Sequence, residues 1–158
     1  MKKYVFAYGS LLNPKSLSKT LPGKRAAKWT KLLGYQRKIN APVGGYLYLN
    51  AVPRKEKSIP GKIILITENE LEALKLRESG YACVDVTDNL EATVDGIVYS
   101  FLAPNEAYPD LKIPRSYLST CLVGKTKSER RAWLEETLIE NEVFEDLANP
   151  VYINAVVD

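Results

Sequence analysis

Lys3-Tyr4-Val5-Phe6-Ala7-Tyr8-Gly9-Ser10-Leu11-Leu12-Asn13-Pro14 is the stretch whose reading decides the fold. Residues 4–8 are β-branched, aromatic or small, the composition of a strand buried on at least one face. Gly9 lets the backbone turn sharply and approach a ligand with no Cβ in the way. Asn13 before Pro14 predicts a helix start, with Asn13 as N-cap and Pro14 where a missing N–H costs nothing. The amides of residues 9–12 then have two readings. They belong to an ordinary strand–turn–helix junction, or they converge on one spot as a cradle for a carboxylate or a developing oxyanion.

The 158 residues, 46% hydrophobic and 26% charged, fit one globular domain over 1–158. No apolar run reaches the roughly 18 residues of a membrane span, and MKKYVFAYGS lacks the apolar core and cleavage site of a secretory signal. A cytoplasmic location without a membrane partner is expected. The net charge of +3 is spread thinly, including across Lys24 to Lys38, which argues against a nucleic-acid partner. Cys83 and Cys121 sit in separate apolar contexts, as buried free thiols would. Most restrictive is the absence of histidine. It removes Ser-His-Asp and Cys-His triads and the commonest metal ligand, and with only two distant cysteines a metal site is not expected. Acid–base chemistry near neutral pH would fall to a perturbed carboxylate, lysine or tyrosine.

Working outward from the opening, residues 14–20 read as a short helix ended by Pro22-Gly23. Residues 25–40 read as a strand interrupted near Gly34 by a bulge. Gly44-Gly45 signals a turn. Strands follow at 46–52 and 60–66, joined by a charged connection over 54–58. Helix is expected over 68–77, strands over 80–86 and 93–102, and helix over 115–123 with Gly124 closing it. Thr126 with Glu129 is a capping box for a further helix, and residues 150–157 form a last strand or a core-packed segment. Strands dominate and helices punctuate them. The fold class is α+β, a small β-barrel-like mixed sheet with a few short flanking helices.

The helix after KIILI carries a carboxylate in an unusual place. Thr67 and Glu70 form a capping box that fixes its start. With about 100° per residue and Leu71 at zero, Leu74 falls near 300°, Glu78 near 340° and Arg77 near 240°. Glu78 therefore shares the face that the two leucines should bury, whereas Arg77 points away. Burial and the negative end of the helix dipole both push a carboxylate there toward the range useful at neutral pH. The alternative is that Glu78 leaves for solvent or pairs with an arginine such as Arg77 or Arg37.

Four segments together resemble the γ-glutamylcyclotransferase-like proteins, which include AIG2-like proteins and γ-glutamylamine cyclotransferases. They are FAYGSLL (6–12), LKLRESGYACVDV (74–86), VDGIVYSFLAP (94–104) and IPRSYLSTCLVG (113–124), in the family's order. The resemblance implies a barrel-like α+β fold with Glu78 as the catalytic residue. It places the substrate loop at Val5, Phe6, Ala7, Tyr8, Gly9, Ser10 and Leu11, and a pocket tyrosine at Tyr117. This chain departs from the pattern at Ser79, where the family often has glycine, and at Leu11, where glutathione-degrading members often have asparagine. The implied reaction cyclises a small γ-glutamyl substrate to 5-oxoproline, with no cofactor. A non-catalytic small-molecule or protein binding module on the same scaffold is the alternative, and neither reading fixes the oligomeric state.

Overall fold

The side chains of the first strand, β1 (Lys2–Ala7), alternate between two buried faces. Val5 and Ala7 are fully buried on one side, and Phe6 and the following Tyr8 are buried on the other. A strand with no wet face needs a covering layer on each side, and the rest of the chain supplies both. The computed structural model describes residues 1–146, so the segment 150–157 lies outside the described residues.

After β1 come a 3-10 turn at Ser10–Leu12, α1 (Pro14–Ser18), β2 (Ala27–Val43), β3 (Tyr46–Ile66) and α2 (Glu68–Arg77). Then follow β4 (Ala82–Asp85), β5 (Gly96–Leu102), β6 (Ile113–Pro114), α3 (Arg115–Leu122), α4 (Lys127–Glu135), β7 (Thr137–Leu138) and β8 (Val143–Phe144). Six strands make one mixed sheet in the order β4-β5-β1-β3-β2-β7. β1 runs parallel to β5, and β2 parallel to β7, while the other neighbours are antiparallel. The fold is α+β, as the sequence predicts. Among the described residues no helix is long and apolar enough to cross a membrane.

One expectation is corrected. Residues 46–66 form a single strand of 21 residues rather than two strands joined by a loop. A straight strand of that length would span about 70 Å, against an expected radius of gyration of about 15 Å for a chain this size. It must bend, and it does so opposite Gly34. The ladder passes from Leu33–Ser58 directly to Tyr35–Pro53, leaving residues 54–57 as a long bulge. Gly34 sits at φ 78° and Glu56 at φ 68°, so both strands change direction there. The charged composition of 54–57 marks this bulge, which projects its side chains to solvent.

Beyond the bend, the β2–β3 hairpin meets the far end of β5. Asn50 is completely buried and donates to the Asn40 side chain (3.0 Å) and to the Ala103 carbonyl (2.9 Å). Its Oδ1 accepts from the amides of Ala51 and Ala103, both at 2.9 Å. Asn40 in turn donates to Asn105 and to the Glu106 carbonyl. This amide seam curls the sheet around Leu32, Ile39, Leu47, Ile59 and Val98, which gives the barrel-like form. α3 and α4 add Leu118, Leu122 and Trp133 to the same core, and α2 covers the opposite face of β1 with Leu71 and Leu74.

Asn50→Leu removes the partner of both Ala103 backbone groups and of the Ala51 amide. The expected cost is roughly 3 kcal/mol or more, since each stranded buried group costs about 1–3 kcal/mol. Urea unfolding measures it, and a loss below about 1 kcal/mol would show that the seam does not hold the curl.

Candidate active site

The end of α2 is fixed from both sides. At its start, Thr67 accepts from the Glu70 amide (3.2 Å) and Glu70 accepts from the Thr67 amide (2.9 Å), the capping box read from the sequence. Leu71 and Leu74, 2% and 0% exposed, pin its buried face. Glu78 is the C-cap: its N–H donates to the Leu74 carbonyl (2.8 Å), and its own carbonyl accepts from the Tyr81 amide (2.9 Å). The chain then leaves through Ser79-Gly80, and the Glu78 carboxylate lines a cavity of about 30 Å³ with only 16% of its side chain exposed.

The opposite wall is the turn after β1. In the 3-10 turn, the Leu12 amide donates to the Gly9 carbonyl and the Asn13 amide to the Ser10 carbonyl. As at the start of any helical turn, the preceding N–H groups of Gly9, Ser10 and Leu11 have no partner from the turn itself. Asn13 ends the turn and starts α1 by accepting from the amides of Lys15 and Ser16, as predicted. A Cβ on Gly9 would lie 2.9 Å from Leu49 Cδ2 and 3.6 Å from the Tyr117 hydroxyl, so glycine keeps this wall open.

Three tyrosines lash the walls together. Tyr8 donates to the Phe101 carbonyl (2.6 Å) and Tyr81 to the Leu49 carbonyl (2.7 Å), while Tyr117 accepts from the Leu49 amide (3.2 Å). Burial pushes all three phenols up, so each is neutral across the physiological range. Tyr117 packs edge-on against Tyr48, with ring centroids 4.8 Å apart. Burial also pushes the Cys121 thiol up to about 12, with its contact to Tyr117 acting the other way. That thiol is not a nucleophile at neutral pH. α3, which carries Tyr117, is capped from a distance, because Asp146 accepts from the Ser116 amide (3.0 Å) where the Pro114 ring has no acceptor to offer.

Burial raises the Glu78 carboxyl above its ordinary range, and Arg77 opposes this without reversing it. Here a second expectation is corrected. Arg77 does not point away: its Nε donates to Glu78 Oε1 at 3.2 Å, which is the arginine pairing the sequence offered as the alternative for Glu78. The backbone angle places the Arg77 Cβ on another face, but the long side chain folds back under the helix end. Arg37 is elsewhere, stacked on Trp133 and bonded to Thr137.

Of the residues proposed from the sequence, Phe6, Tyr8, Gly9, Ser10, Leu11, Glu78 and Tyr117 line the cavity together. Val5 and Ala7 do not. Strand alternation turns them toward Leu71 and Leu74 on the other face of β1. Leu49, Tyr81 and Phe101 also line the cavity and were not proposed. Tyr81 had a sequence signal, lying directly after the Ser79-Gly80 break that follows Glu78. Leu49 and Phe101 had none, since only the curl of the sheet brings them in. A second, more open cleft of about 310 Å³ adjoins the first across Ser10, Glu78, Tyr81 and Tyr117, and continues toward Val43, Tyr48 and Thr120. Among the described residues no cluster of three or more His, Cys, Asp or Glu side chains is placed to hold a metal.

No family model matches the chain, and no curated protein matches it in sequence. Solved structures do match it in fold. An uncharacterized human protein superposes with a TM-score of 0.71 over 99% of both chains, at 16% identity. A γ-glutamyl cyclotransferase superposes with a TM-score of 0.70, again over 99% of both chains, at 15% identity. An Arabidopsis thaliana protein solved in solution matches at 27% identity and a TM-score of 0.54, over 85% of this chain and 83% of its own. The chain therefore has the γ-glutamylcyclotransferase-like fold.

The raised carboxyl has a consequence for stability. The native state favours protonated Glu78, so its favourable contribution is complete below the ordinary carboxylate range and is lost as pH rises through the raised native value. Glu78→Gln is uncharged throughout and escapes that loss. Relative to the parent, the variant should gain stability between pH 4 and pH 7, measured by urea unfolding. A difference that is flat over this interval would contradict the burial of the charge.

Proposed function

We propose that this chain is a γ-glutamylcyclotransferase-type enzyme with Glu78 as its general base and acid. The observation that carries the reading is one carboxylate, its proton affinity raised by burial, lining the same cavity as Gly9, Ser10 and Leu11 of the turn after β1. The fold shared with a γ-glutamyl cyclotransferase supports it. So does the composition, because a histidine-free chain suits a reaction whose nucleophile belongs to the substrate.

In this mechanism the neutral α-amine of a γ-glutamyl group attacks its own γ-carbonyl carbon. The new C–N bond closes a five-membered ring, and proximity within one molecule supplies much of the acceleration. Glu78 takes a proton from the α-nitrogen as the ring closes. It then delivers that proton to the departing nitrogen as the original amide C–N bond breaks. The products are 5-oxoproline and a free amine or amino acid, and Glu78 returns to its starting carboxylate. The amides of Gly9, Ser10 and Leu11 hold the substrate carboxylate or the tetrahedral oxyanion, at about 3–4 kcal/mol for an oxyanion donor. The neutral tyrosines shape the cavity without competing for the proton. The partner is then a small γ-glutamyl compound and the place of action the cytoplasm.

The Arg77–Glu78 hydrogen bond favours a second reading, a non-catalytic binding module, because a guanidinium on the carboxylate makes it a weaker base. Mass-spectrometric detection of 5-oxoproline from a panel of γ-glutamyl dipeptides and γ-glutamylamines separates the two. Turnover is expected in the parent and should fall by about 10²–10⁴-fold in Glu78→Gln. Unchanged turnover in the variant would remove Glu78 from the chemistry, and ligand-induced thermal stabilisation without product in the parent would establish the binding module. The acid limb of kcat/KM should lie above the ordinary carboxylate range, since activity disappears as pH falls through the raised Glu78 value.

A further inference from the structure

Arg77 is a charged side chain beside the cavity that the proposed reaction does not use, and every one of its N–H groups is committed. Nε donates to Glu78. Nη1 donates to the Ser16 carbonyl (2.5 Å) and to Thr20 Oγ1 (3.3 Å). Nη2 donates to Ser16 Oγ (2.6 Å) and to Ser10 Oγ (3.4 Å). The side chain is 19% exposed, so this fork is mostly desolvated and its bonds are charge-assisted. With its five donors engaged, Arg77 is not a free cation waiting for a substrate carboxylate.

We propose that Arg77 is a positioning residue that joins the turn after β1, through Ser10, and α1 and the segment just after it, through Ser16 and Thr20, to the carboxylate of Glu78. The consequences for turnover rest on the cyclotransferase reading above. The geometric claim does not. The two walls of the cavity come from segments nearly seventy residues apart in sequence, and Arg77 touches both. Ser10 moves with the turn and Glu78 with the end of α2, so one planar guanidinium sets their separation and the direction in which Oε1 faces. Lysine cannot substitute, because an ammonium on a flexible stem has three donors and no fixed plane. The other titratable groups lining the two clefts with Glu78 are Tyr8 just after β1, Tyr48 from β3, Tyr81 before β4 and Tyr117 from α3, beside Arg77 itself, and all four phenols are neutral at pH 7. Arg77 is therefore the charged neighbour that acts on Glu78, and it opposes the effect of burial.

The test is a ¹³C NMR titration of the glutamate carboxyls in the parent, Arg77→Gln and Arg77→Lys, with Glu78→Gln identifying the resonance. In Arg77→Gln the Glu78 midpoint should rise, and in Arg77→Lys it should stay nearer the parent value because the charge is kept. Amide exchange at Ser10 and Leu11 should quicken in both variants, since neither can span Ser10, Ser16 and Glu78 together. With a turned-over γ-glutamyl substrate, Arg77→Gln should lower kcat/KM by roughly tenfold to a hundredfold and move its acid limb with the NMR midpoint. Arg77→Lys should raise KM while leaving the limb near its parental position. An unmoved Glu78 midpoint in folded Arg77→Gln would overturn the proposal. If that variant does not fold, unaltered amide exchange in Arg77→Lys would overturn it instead. The titration and exchange measurements need no substrate, so an inactive parent would defeat the enzyme reading alone and leave Arg77 to be judged on its own.

Discussion

A single constraint organises this molecule: the helix that buries Leu71 and Leu74 must bury Glu78 as well. Three residues on one stripe of an α-helix cannot choose their environments separately. The leucines fix the rotation of α2 against β1, and the capping box at Thr67 and Glu70 fixes its start. Length then brings the last turn beside the turn that follows β1, in a mostly buried position where a carboxylate is costly. The protein keeps it there by ending the helix at that residue, so that its backbone groups are satisfied by Leu74 and Tyr81. The cost falls on one ionised side chain, and it raises the carboxyl toward a proton affinity that is useful near neutral pH.

The site lies where the curled sheet closes on itself. Leu49 is the meeting point: its carbonyl takes the Tyr81 hydroxyl, its amide donates to the Tyr117 hydroxyl, and the next residue, Asn50, carries the amide seam to Ala103. The residues that tie β3 to the end of β5 therefore also hold the cavity's shape. A turn after β1, a corner after α2, the first part of β3 and a helix from the last third converge there. In the proposed reaction, where a substrate reacts with itself, this arrangement would serve to fold the substrate and to move one proton.

Local chemistry was legible in the sequence wherever a residue acts on its own neighbours. Asn13-Pro14, Thr67 with Glu70, and Thr126 with Glu129 start their helices as read, and Gly34 marks the bulge. The angular position of Glu78 followed from helix geometry alone. The reading failed where distance in sequence or side-chain length intervened. Residues 54–57 look like a loop by composition, yet they are an excursion within one strand, because pairing with β2 resumes on both sides. Arg77 was placed by its Cβ, which says little about a guanidinium several bonds further out. Val5 and Ala7 were grouped with the turn by adjacency, although strand alternation sends them to the other face. Leu49 and Phe101 carry no local signal, since they enter the cavity only when the sheet curls.

The central claim is that the turn amides and the Glu78 carboxylate face one bound molecule. It is tested most directly by titrating 5-oxoproline into the ¹⁵N-labelled protein and following the backbone amides. The account predicts saturable shifts at Gly9, Ser10 and Leu11 together with the residues flanking Glu78, while amides of the 54–57 bulge stay still. Saturable binding that perturbs amides elsewhere and leaves Gly9, Ser10 and Leu11 unmoved would contradict it.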